Sequence, residues 1–101
     1  MKRHWIGGEW MGQANREPID IVNPATEEVF EQVLDGSRED ADAAVVAANK
    51  AFEIWRRMTA VSRGELLHEV ADRLKARTEE IARILTQEGG KPLKENIDEV
   101  G

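Results

Sequence analysis

The sequence predicts an α/β segment: N-terminal antiparallel β-hairpins over residues 1–36, then three or four amphipathic helices over residues 37–101. Three observations carry this. Short apolar runs before residue 36 are interrupted by Gly7-Gly8 and by Asn23-Pro24, both turn signals. At Gly36-Ser37 the hydrophobic period changes from two to about 3.6 residues. Beyond that point, helix start and stop residues recur at helical spacing.

His4-Trp5-Ile6 and Glu9-Trp10-Met11 flank Gly7-Gly8 and read as one hairpin, because type I′ and II′ turns need positive φ. Ile19 to Val22 and Val29 to Leu34 form the second strand pair. In the turn between them Pro24 fixes φ and Asn23 can bond its own backbone. Ser37 stands at the N-cap of the first helix with Glu39 and Asp40 in its first turn. Ala41, Ala44, Val45, Ala48, Ala51, Phe52 and Trp55 share one face of it, and residues 56–60 are the expected break.

Ser62-Arg63-Gly64-Glu65 matches a capping box for the second helix, which should turn Leu66, Leu67, Val70, Ala71 and Leu74 inward. Thr78-Glu79-Glu80 restarts a third helix carrying Ile81, Ala82, Ile84 and Leu85. Gly89-Gly90 stops it, since glycine readily takes the left-handed position, and Pro92 follows. A fourth helical pattern begins near Leu93 and includes Ile97 and Val100.

The chain has 101 residues, 41% hydrophobic and 34% charged, which is too apolar for a disordered segment and sufficient for one core. A net charge of −6 argues against nucleic acid, which needs a basic face, and against an anionic membrane surface. No apolar run approaches the length of a membrane span, and neither a signal-peptide nor a lipidation pattern is present, so the expected address is the cytoplasm. The absence of cysteine removes disulfides, thiolate ligands and thiol nucleophiles from these residues.

Little remains that could do chemistry. His4 and His68 lack partners at metal-ligand spacing and read as solvated surface histidines. Glu79 and Glu80 are adjacent, so on a helix they diverge by about 100° and act as first-turn dipole partners. Gly7-Gly8 with Gly12 is not a dinucleotide fingerprint, because strand-like Trp10 and Met11 stand where a helix should open. Gly90-Lys91 is no P-loop, since Pro92 replaces the magnesium-binding hydroxyl and Leu85 the first glycine. Trp5 and Trp10 read as a half-buried cross-strand pair.

The order of landmarks nevertheless resembles a known family. Trp5-Ile6-Gly7-Gly8-Glu9-Trp10 resembles the Ile-Asn-Gly-Glu-Trp hairpin near the start of NAD(P)-dependent aldehyde dehydrogenases. Ile21-Val22-Asn23-Pro24-Ala25-Thr26-Glu27-Glu28-Val29 is similar to that family's Val-Asn-Pro-Ala-Thr-Gly-Glu-Val turn, with Glu27 in place of the usual glycine. The alanine-rich stretch from Asp42 to Arg56, Arg63-Gly64-Glu65-Leu66-Leu67, and Glu88-Gly89-Gly90-Lys91-Pro92-Leu93 follow in the family's order. The run from Gly89 to Val100 resembles the betaine-aldehyde or amino-aldehyde branch.

The resemblance implies that residues 1–101 are the N-terminal fragment of a larger Rossmann-like domain, about a fifth of an enzyme. It implies oxidation of an aldehyde to its acid with NAD or NADP. The cysteine nucleophile, the general-base glutamate and the cofactor site would all lie beyond this segment. Catalytic and cofactor-binding residues are thus expected to be absent here, and no cofactor is expected to bind the fragment alone. Its partner would be the remainder of the enzyme chain, with a dimer or tetramer at full length. The one ligand role carried over is a structural sodium or potassium ion held by the backbone carbonyls of Ile21 and Val22. Without the resemblance, the same residues also describe a stand-alone acidic α/β protein-interaction domain.

Overall fold

A computed structural model describes residues 1–12 and 16–101. The order is β1 (His4–Ile6), β2 (Glu9–Met11), β3 (Pro18–Asn23), β4 (Glu28–Leu34), α1 (Arg38–Trp55), α2 (Ala60–Ala76), α3 (Thr78–Gly89) and α4 (Leu93–Val100). Strands precede helices, as the change of period predicts. The described residues contain no helix long and apolar enough to cross a membrane. The chain folds as two compact units that cut across the strand-to-helix border: Met1–Ile21 with Phe30–Met58, and Val22–Val29 with Thr59–Gly101.

In the first unit β1 and β2 pair antiparallel, with Trp5 opposite Trp10. Gly7 and Gly8 have φ of 62° and 85°, the two positive values that a type I′ turn needs and that side chains resist. The Trp5 and Trp10 rings meet edge to face at a centroid distance of 4.9 Å. They stay about 60% exposed, not half-buried as the sequence suggests, because a two-stranded ribbon offers only one neighbour to each ring.

β3 and β4 form the second two-stranded sheet, and their short connection permits only the antiparallel arrangement. Lys2 joins β4 as a parallel bridge to Val33, donating from its N–H to Gln32 and accepting from Leu34 N–H, both at 2.8 Å. Leu34 is buried, and a Cβ at Gly12 would run into its side chain. On α1 the partly covered positions are Asp40, Ala43, Ala44, Ala47 and Trp55, so its inner face is offset from the predicted one. Val45 and Phe52, expected on the apolar face, are exposed.

The second unit opens with the turn after Asn23. The Asn23 side chain accepts from Ala25 N–H at 2.9 Å, as its position before proline predicts, and Glu27 N–H donates to the Asn23 carbonyl at 2.8 Å. Glu27 closes the turn at φ 60°, the left-handed region. Helix α2 begins earlier than expected: Thr59 is the N-cap, its Oγ1 accepting from Ser62 N–H at 3.1 Å. Thr59 and Ser62 stand three apart, the spacing a cap requires, so the helix gains a turn and Ser62 becomes part of it rather than its cap.

Thr78 restarts the chain as α3, its hydroxyl donating to the Lys75 carbonyl at 2.7 Å. Gly90 ends α3 at φ 75°, and a Cβ there would stand 2.9 Å from Pro24 Cγ, so two constraints select glycine. Ala82 on α3 is fully buried, and on α4 the buried residue is Asn96. α2 contains no buried residue. Leu66, Leu67, Val70 and Leu74, expected to face inward, are 43–59% exposed, since no described element covers that side.

Candidate functional site

The densest polar cluster lies where α1 begins, in the first unit. Ser37 adopts extended φ and ψ, so its hydroxyl accepts from Asp40 N–H at 3.0 Å while Asp40 Oδ2 accepts from Ser37 N–H at 2.9 Å. This reciprocal capping box satisfies two donors that a helix start leaves open, with aspartate filling the usual glutamate role. Arg16 Nη1 donates to the same Asp40 Oδ2 at 3.2 Å and stands 3.4 Å from the Asp35 carbonyl oxygen. His4, on β1, brings Nε2 within 3.4 Å of that carbonyl and 3.7 Å of Asp40 Oδ2. His4 is therefore half-buried against α1, not solvated as its terminal position suggests, because the β1–β2 hairpin carries it there.

The Ser37 N–H bond, then the Ser37 hydroxyl, with smaller help from Arg16 and His4, hold the Asp40 carboxyl below its ordinary range against the opposing effect of burial. A general base works best with its pKa near the operating pH, so this shift moves Asp40 away from proton transfer. Its ligands use it as a structural acceptor. His68 is exposed on α2. The described residues contain no group of three or more His, Asp and Glu side chains able to hold a metal ion.

A second polar cluster, missed in the sequence, joins α3 to α4. Asn96 Nδ2 donates to Thr86 Oγ1 at 2.9 Å and lies 3.3 Å from the Lys91 carbonyl oxygen, and the residue is 3% exposed. Leu93, Asn96 and Val100 are the covered positions of α4, spaced three and four apart, whereas Ile97 is 38% exposed. That spacing was the available signal: asparagine occupies an inward slot that a hydrophobic count passes over.

Beside the hairpin, an apolar trough of about 700 Å³ is lined by Trp5, Gly7, Ala44, Ala47, Ala51 and Ile54, with Lys50 its charged neighbour. Nothing along it pairs a nucleophile with a base. Gly7, Gly8 and Gly12 surround a hairpin rather than a helix opening, and Gly90 is the left-handed end of α3. Neither glycine group forms a phosphate cradle. Ile21 and Val22 occupy consecutive positions in β3, Val22 being 46% exposed.

Known proteins supply the context. A sequence profile described as "Aldehyde dehydrogenase family" matches residues 10–101. A malonate-semialdehyde dehydrogenase of Bacillus velezensis is 37% identical over 99 residues, covering 98% of this chain and 20% of the relative. A mitochondrial aldehyde dehydrogenase of Mesocricetus auratus is 42% identical over 91 residues, covering 87% of this chain and 18% of the relative. The crystal structure of a betaine aldehyde dehydrogenase from Staphylococcus aureus in complex with NAD+ superposes with a TM-score of 0.90 at 39% identity, covering 99% of this chain and 20% of that one. The chain thus spans about a fifth of the length of the relatives it matches. With the profile covering nearly all of its residues, the chain belongs to the aldehyde dehydrogenase family.

Proposed function

We propose that these residues form the N-terminal portion of an oxidoreductase that converts an aldehyde and water to a carboxylic acid while reducing NAD+ to NADH. We further propose that all of its reacting groups lie outside them. The observation that carries this reading is the match of 99% of the chain, at a TM-score of 0.90, to an NAD+-bound betaine aldehyde dehydrogenase. The chemistry of the segment agrees with it: there is no cysteine, and Asp40 is held ionised by its cap. The segment's part is to present helix faces and hairpins to the remainder of such an enzyme, which works as a dimer or tetramer.

The test has two arms. A longer polypeptide carrying these residues should reduce NAD+ with betaine aldehyde, malonate semialdehyde or a simple aliphatic aldehyde, read as NADH absorbance. The 101-residue chain should reduce none. Failure of the longer polypeptide on every aldehyde would sink the enzyme reading. Turnover by the short chain would instead place the reacting groups here.

We also propose that the Ile21 and Val22 carbonyls contribute to a monovalent cation site of the longer enzyme. Ile21 and Val22 are consecutive residues of β3, so their backbone supplies only part of a coordination shell, and oxygens from outside these residues must complete it. Replacing sodium and potassium by tetramethylammonium should then lower the enzyme's melting temperature. An unchanged value would remove the proposal.

A further inference from the structure

We draw no further inference here: the strongest candidate, the open apolar trough between the β1–β2 hairpin and the alanine-rich face of α1, is an unpartnered surface, and nothing in the structure shows what covers it.

Discussion

Two parts of the second unit, α2 and the α3–α4 corner, differ in what they have already satisfied. At the corner Ala82 is fully buried, the Asn96 amide has both of its acceptors, and Gly90 lets the chain pass Pro24 at close range. α2 has a well-made N-cap at Thr59 and an Arg73–Glu69 ion pair, yet it buries nothing. Leu66, Val70 and Leu74 stand in a row at helical spacing with Leu67 beside them, all exposed. Local signals are enough to form a helix at either place. Only the corner also has its packing partners within these residues. A contiguous row of exposed apolar side chains is the kind of patch that marks an interaction surface.

The largest expected effect tests that contrast directly. In the longer enzyme, Leu67→Ala should cost about 2–5 kcal/mol, the range for a leucine removed from a packed core. In the 101-residue chain the same change should stay within about 0.5 kcal/mol, as for a surface position. Urea unfolding followed by helical circular dichroism gives both numbers. Equal costs in the two contexts would mean that the α2 row is ordinary surface.

The corner should behave in the opposite way. Asn96→Ala leaves the Thr86 hydroxyl and the Lys91 carbonyl without their buried donor, at about 1–3 kcal/mol. Because both partners lie within these residues, the cost should be the same in the short chain and in the longer enzyme. A cost confined to the longer enzyme would show that the corner, too, depends on outside contacts.

Where the sequence was legible, a local physical rule acted alone. Ser37, Gly7-Gly8 and Gly90 do what caps and turns require, and all sit where the sequence predicts. The cap of α2 falls at Thr59 and not at the expected Ser62 because two hydroxyls three residues apart both suit a cap, and only the backbone decides between them. His4 departs from its expected solvated setting, and Asn96 escapes the sequence reading, for a different reason. His4 finds its partners 31 and 36 residues away in sequence, and Asn96 owes its burial to α3, so neither setting is written locally. The inward direction assigned to the α2 leucines followed from periodicity, which finds an apolar face without saying what lies against it. The family was legible in the order of motifs.

Glu27 offers a smaller test at a place where sequence and structure meet. The family's usual glycine is replaced there, and the backbone still takes φ 60°. Left-handed backbone costs a residue with a side chain about 1–2 kcal/mol, part of which glycine returns through its greater freedom when unfolded. Glu27→Gly should therefore stabilise by about 0.5–1 kcal/mol, in the short chain and the longer enzyme alike, since the bonds described for the turn, to Asn23 and to the Thr26 hydroxyl, lie within it. A destabilised variant would show that the Glu27 side chain makes a contact the turn needs.

The first unit supplies the mildest test, and its sign follows from the Asp40 environment. The Asp40 carboxyl titrates below its ordinary value, chiefly because the Ser37 N–H binds the charged form. A depressed carboxyl stabilises the folded chain fully above the unfolded value, about pH 4, and loses that contribution as pH falls through the folded value. Asp40→Asn keeps an oxygen for the Ser37 N–H but removes the charge that Arg16 meets at 3.2 Å. The variant should be the less stable protein at pH 7, and the gap should close as the pH is lowered past about 4. Salt should narrow it as well, because the pair is partly exposed. A gap that persisted unchanged into acid would mean that shape, not charge, is what Asp40 contributes to the start of α1.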